Sequence, residues 1–339
     1  MDPHRLPRWF RRTIFVFLGL LIVLTPPALY IGRAGEPVKQ LYGVTFSDKQ
    51  ARALGLEARE TYLAILNDLK VKHLRLIAYW DELEPTPNTD NFSELDWELQ
   101  EAANHNATVT LAIGRKLPRW PECFYPDWMK GKPLAEENQQ LLTFLRKIIT
   151  RYRDQNIIVR WQIENEPFVW WFGDCAKPDE QFLQTELDLL KSLSDKPVLI
   201  TDSGELSTWR KAARFADLFG TTLYRATWNP YLHYGVYPLP PLSYRLKARL
   251  WWVEPKDAII AELQAEPWPP GTPLIDTPVP EQFKSMSLSR FNEQVTFAKA
   301  TNFGEAYFWG VEWWYWLKMK QNHPEFWQTA KALFAKSSD

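Results

Sequence analysis

The chain has 339 residues, 45% of them apolar, and a formal net charge of -1, enough to bury one large core of ~300 residues once the N-terminal segment is set aside. So even a balance of charge excludes a surface built to hold a polyanion, and nucleic acid is not an expected partner. The 14 glycines form neither a G-x-G-x-x-G turn nor a P-loop, which argues against a nucleotide site.

Residues 1–12 carry Arg5, Arg8, Arg11 and Arg12, and residues 13–31 are uncharged. This predicts a basic cytoplasmic region at 1–12, a transmembrane anchor or signal segment at 13–31, and a linker at 32–38. By the positive-inside rule everything that follows lies beyond the membrane, anchored to it or, after cleavage, secreted.

From residue 39 to 337 short apolar runs alternate with longer amphipathic stretches. The eight runs are 41–46, 73–79, 108–113, 157–164, 197–202, 221–224, 258–262 and 306–310. Apolar residues return every three or four positions over 58–69, 95–104, 137–152, 179–193, 206–218, 282–300 and 324–334, which predicts helices. Such alternation is the mark of βα units around a parallel sheet, and eight of them predict an α/β fold of the (βα)8 TIM-barrel class in one domain. Three segments after strands are long and aromatic: 115–133 (RKLPRWPECFYPDWMKGKP), 225–242 (RATWNPYLHYGVYPLPPL) and 311–320 (VEWWYWLKMK). They are expected to be loops on the face where barrel enzymes keep their active sites. Cys123 and Cys175 fall in neighbouring loops of that face and are candidates for a disulfide in an exported domain. The five histidines show no ligand spacing, so no metal site is expected.

The fourth run continues as IIVRWQIENEP, residues 157–167. Strand alternation puts Val159, Trp161 and Ile163 on one face and Gln162, Glu164 and Glu166 on the other. Carboxylates turned into a barrel mouth are costly unless they are bonded or used, and Pro167 ends the strand just after Glu166. The seventh run, within DAIIAELQAEPW, ends in Glu262. The two glutamates are 96 residues apart (262 − 166), the length of three βα units, which assigns them to the fourth and seventh strand ends across the barrel. A carboxyl pair across a cleft is what glycosidic cleavage uses, one group protonating the leaving oxygen and the other attacking the anomeric carbon or activating water.

On these residues the chain resembles glycoside hydrolase clan A, and within it the cellulase-type family 5, over residues 39–335. In that clan an Asn-Glu pair, often followed by Pro, ends the fourth strand, and Asn165, Glu166 and Pro167 stand there. The resemblance implies that Glu166 is the acid/base and Glu262 the nucleophile of a retaining β-glycosidase. It further implies that Asn165 binds the sugar 2-hydroxyl, that Arg75 keeps the nucleophile ionised, that Tyr224 hydrogen-bonds it, and that Trp309 is the platform beneath the reacting sugar. Two departures stand out. The family usually has histidines on the third and sixth strands, where this chain reads VTLAIGRK and TTLYR, so its substrate-positioning network must differ. Glu262 is followed by Leu-Gln-Ala-Glu-Pro, which makes Glu266 a rival nucleophile.

Eighteen tryptophans suit a saccharide, whose C–H faces stack on indoles. Trp80, Trp120, Trp171, Trp228 and Trp313, just beyond strand ends, and His233 in the sixth loop complete the candidate substrate contacts. The expected protein is thus a monomeric retaining glycosidase acting on β-linked oligo- or polysaccharide, with carbohydrate and membrane as partners and no cofactor. The alternative is a non-catalytic carbohydrate-binding protein on a glycosidase-like barrel, since fold does not establish activity.

Overall fold

The computed structural model describes residues 36–337 except Pro178, Leu232 and Thr272. The predicted basic region at 1–12, the segment at 13–31 and most of the 32–38 linker lie outside the described residues. Among the described residues no helix is long and apolar enough to cross a membrane.

Eight parallel strands close into a barrel: β1 (Leu41–Thr45), β2 (His73–Ile77), β3 (Thr108–Ile113), β4 (Ile158–Ile163), β5 (Val198–Asp202), β6 (Leu218–Leu223), β9 (Ile259–Gln264) and β10 (Glu305–Trp309). Two more strands, β7 (Ala226–Asn229) and β8 (His233–Val236), form an antiparallel hairpin outside the barrel. Around the barrel the order is β1-β10-β9-β6-β5-β4-β3-β2. Every predicted strand is present, because strands buried on both faces read as continuous apolar runs. Helices such as Ala58–Asn67, Ser93–Asn104, Leu134–Tyr152, Glu180–Leu193 and Leu288–Thr301 bury their apolar stripes against the sheet.

Three expectations are corrected. The helix expected over 206–218 is a single turn, Ala212–Phe215. Its first half is drawn into local side-chain bonds: Ser203 Oγ and Ser207 Oγ accept backbone N–H groups of Leu206 and Trp209, and the Trp209 indole donates to the Ser203 carbonyl. Serines that satisfy the backbone in this way compete with a helix. The aromatic segment 311–320 is no loop but the helix Val311–Lys320, starting after Gly310 at φ 115°. It is apolar nearly all round, and residues Val311 to Leu317 are buried, as a helix enclosed by its own protein must be. The long sixth connection contains the β7–β8 hairpin.

Strands β4 and β9 are not diametrically opposed, since only β5 and β6 separate them on one side of the ring. That brings their ends onto one arc of the mouth. Both strands also carry a register irregularity. On β4 it falls where Val109 pairs Ile158 and Thr110 pairs Arg160. On β9 it falls where Thr221 pairs Ile260 and Thr222 pairs Glu262. An extra residue in a strand re-aims the side chains that follow it, and Glu262 follows directly.

Candidate active site

Arg75 is fully buried on β2 and spends its whole guanidinium on the barrel mouth. Its Nη1 donates to Glu262 Oε1 at 2.9 Å, its Nε to Gln162 Oε1 at 2.8 Å, and its Nη2 to Asn165 Oδ1 at 2.8 Å. The second oxygen of Glu262 accepts the Tyr224 hydroxyl at 3.0 Å. Burial, and then the charge on Glu262, holds that phenol well above the ordinary tyrosine range, so it stays a donor. Glu262 is therefore a buried carboxylate with both oxygens engaged, one by a fixed cation.

Glu166 is set differently. Its Oε1 accepts only a hydroxyl proton, from Thr222 at 3.0 Å, and its own N–H donates to Thr201 Oγ1 at 2.9 Å. No ion pair reaches it among the described residues. Burial, followed by the negative charge of Glu262, pushes its carboxyl well above the ordinary carboxylate range. Its backbone sits at φ 44°, and that of Glu164 at φ 54°, a left-handed conformation that non-glycine residues hold only where the surroundings impose it. Strand alternation therefore stops at Ile163. Glu164 turns sideways instead of into the barrel, and its oxygens accept the N–H groups of Arg115 (2.8 Å) and Lys116 (2.6 Å). It is a brace for the third loop. Gly114 leaves room for it, since a Cβ there would stand 2.6 Å from Glu164 Oε1.

A second arginine centre lies beside the first. Arg119, in the third loop, donates to Glu266 Oε1 at 2.5 Å and to Glu312 Oε2 at 2.8 Å, and its guanidinium lies 4.0 Å from the centroid of the Trp309 ring. The Trp309 indole donates to Glu266 Oε1 at 2.8 Å. So the proposed sugar platform has one face covered by Arg119, and the rival glutamate is engaged by a loop arginine.

The tryptophans divide into two sets. Trp80 and Trp313 are fully buried and are corrected to core residues. Trp80 stacks on Phe144 and donates to Glu84, and Trp313 donates to Gln282; neither has a free face for a sugar. Trp120 is 67% exposed and Trp171 51%. Trp120 meets Phe172 edge-on, Phe172 meets Trp268, and Trp268 meets Tyr224, so a line of rings runs from the surface to the residue that holds Glu262. The rings of Trp228 and His233 lie 6.4 Å apart, tilted to each other, on the β7–β8 hairpin, where Trp228 pairs with Tyr234 and His233 with Asn229. Cys123 and Cys175 form a disulfide that ties the third loop to the fourth.

Sequence reasoning missed Lys116, Arg119, Glu122, Thr222 and Glu312. The length and aromaticity of 115–133 were legible, but no local pattern marks which of its charges turn inward to be buried, as Lys116, Arg119 and Glu122 do. A cavity of about 210 Å³ opens at the other end of the barrel, lined by strand starts and by Arg160 and Glu305. These two pair at 2.7 Å, and the cavity belongs to the face that stabilises barrels. Among the described residues no His, Cys, Asp and Glu cluster could hold a metal ion.

Comparison of the sequence with known protein families finds no match, and comparison with curated proteins finds none either. Solved structures do resemble it. Endo-glycoceramidase II from Rhodococcus sp., in its ganglioside GM3 complex, aligns with a TM-score of 0.51 at 13% identity, covering 80% of this chain and 73% of that one. A β-galactosidase from Bacillus circulans sp. alkalophilus aligns at 0.49 and 13% identity, covering 79% of this chain and 56% of that one. At such identity the likeness to the first is one of fold. The chain has a (βα)8 barrel like that of a glycosidase, and the resemblance read from its sequence holds at that level.

Proposed function

We propose that this protein is a retaining glycoside hydrolase, with Glu262 as nucleophile and Glu166 as acid/base. The observation that carries this reading is the contrast between the two carboxyls. Glu262 has Arg75 on one oxygen and Tyr224 on the other, while Glu166 is buried with a hydroxyl partner only and keeps its proton far above the usual range. A carboxyl held by a cation beside one that keeps its proton is the arrangement that such a reaction uses. In the first step Glu166 protonates the leaving oxygen as Glu262 attacks the anomeric carbon. In the second, Glu166 takes a proton from water, which hydrolyses the glycosyl ester. Asn165, clamped between Arg75 and Gln162, is placed to meet the sugar hydroxyl next to the reacting carbon. The substrate is a β-linked oligo- or polysaccharide, with Trp120 and Trp171 as exposed stacking surfaces.

The basic, then apolar, N-terminus favours export, and the Cys123–Cys175 disulfide is at home in an oxidising compartment. The enzyme would work there as a monomer, membrane-anchored or secreted.

The test is mass spectrometry of the full chain after exposure to 2-deoxy-2-fluoro β-glycosides with activated leaving groups, which trap the nucleophile of a retaining enzyme. A sugar-sized adduct on Glu262 is the expected result. An adduct on Glu266 would reverse the assignment, and turnover with inversion would remove the double displacement.

A further inference from the structure

The third loop grips the acid/base strand through one residue. The Lys116 carbonyl accepts the Asn165 N–H at 2.6 Å, and its own ammonium donates to the Asn165 carbonyl at 2.9 Å. Its N–H also reaches Glu164. Asn165, the residue that precedes Glu166, is thus held at both its N–H and its carbonyl by a single lysine, and it is flanked by Glu164 and Glu166 in the left-handed region. Lys116 is 5% exposed and pairs with Glu122, also 5% exposed, six residues further along the loop. The Glu122 carbonyl accepts the Leu117 N–H at 2.7 Å, so the loop folds back on itself to bring the pair together. Cys123, next to Glu122, anchors this turn to the fourth loop.

A buried ion pair is weak evidence for stability, because desolvation offsets much of the attraction. Its placement here points to another role. We infer that Lys116 and Glu122 form a charge couple that sets how tightly Glu166 holds its proton, with Lys116 also a positioning residue for the Glu166 backbone. The inference rests on the acid/base role proposed above for Glu166. The charged groups acting on that carboxyl are Glu262 from β9, Asp202 from the end of β5, and Lys116 and Glu122 from the third loop. Lys116 is the cation among them and favours ionisation; the other three oppose it. Glu122 in turn faces Lys116, Glu262 and Arg75. The pair is nearly neutral as a whole, but its two halves act on Glu166 with opposite sign, so removing either one tips the acid in a known direction.

The experiment is a carboxyl 13C NMR titration of the full chain labelled at glutamate Cδ, with E166Q identifying the Glu166 resonance. K116M takes away the favourable cation and should move the Glu166 midpoint up by about one pH unit. E122Q leaves Lys116 uncompensated and should move it down by a similar amount. K116R keeps the charge and should stay near the wild type. Loosening of the loop without any charge effect would admit water and lower the midpoint in both neutralised variants, so a downward or absent shift in K116M overturns the inference. If K116M does not fold, K116Q, which keeps a donor toward Asn165, reads the same sign. The basic limb of kcat/KM for phenyl β-glycosides, whose leaving group needs the proton, should follow the same order. Opposite NMR shifts in a protein that cleaves no glycoside would leave the charge couple standing and remove the proposed function. Cleavage with an unmoved Glu166 midpoint would do the reverse.

Discussion

Two arginine centres stand side by side at the barrel mouth and are built in opposite ways. Arg75 rises from β2; its partners Thr45, Gln162 and Glu262 also belong to strands, and Asn165 follows β4 by two residues. Arg119 comes from a loop at φ 90°, and its partners lie in the segment after β9 and in the helix Val311–Lys320. In the strand-built centre one cation meets one carboxylate, and each guanidinium nitrogen has an acceptor. In the loop-built centre one cation meets two carboxyl groups, and Arg119 Nε and Glu266 Oε2 are buried without a partner among the described residues. Saturated bonding on a rigid sheet fixes geometry to within what chemistry tolerates. The loop-built centre has spare valence and two acids on one cation, which suits support or substrate contact better than bond-making.

The sharpest way to break that comparison is to remove one carboxylate from each centre. E262Q should lower kcat/KM on aryl β-glycosides by on the order of 10⁴-fold or more, the scale of losing a nucleophile. E266Q should lower it about 10–100-fold, the scale of one hydrogen bond to a charged group. If E266Q were the more damaging, the loop-built centre would be the reactive one.

A second contrast concerns stability. R75M leaves Glu262 buried without its cation and breaks the bonds to Gln162 and Asn165, so a loss of ~3–5 kcal/mol is expected from urea unfolding at neutral pH. R119M should cost less, about 2 kcal/mol, because Glu312 can take up a proton and a loop can relax where a closed sheet cannot. Equal losses would mean that the loop is as fixed as the barrel.

The same contrast explains what was legible in the sequence. Alternation and chain length pointed to Glu166 and Glu262, and the clan resemblance added Arg75, Asn165 and Tyr224; the barrel brings these five together because all lie on its strands or within three residues past their ends. Alternation misled only at Glu164, where a left-handed backbone ends the strand rule one residue early. The loop-borne groups were not found. Arg119 and Glu312 lie 193 positions apart (312 − 119) and meet only because the third loop reaches across the mouth, and no local pattern encodes a contact of that kind. Trp80 and Trp313 were misplaced for a related reason: a tryptophan after a strand end looks the same in sequence whether its ring turns outward to a sugar or inward to Phe144 or Phe326.

The smallest expected effect tests whether the loop-built centre is charged in full. Burial raises the Glu312 carboxyl from 4.5 to about 7 against the pull of Arg119. A carboxyl that binds its proton more tightly when folded adds stability that is fully present below about pH 4.5 and is lost as pH rises through about 7. E312Q, a neutral mimic of the protonated acid, should therefore match the wild type near pH 5 and lose less stability to urea by about pH 6, a difference of about 1 kcal/mol over that interval. An unchanged slope would mean that Glu312 is already ionised near pH 5. Arg119 would then bind two carboxylates at once, Glu266 would keep only half of its counter-charge, and the mouth would carry one more negative charge. A surplus of that size next to Tyr224 would disfavour a second anion on Glu262, and the assignment of Glu262 as the ionised nucleophile would lose its electrostatic basis.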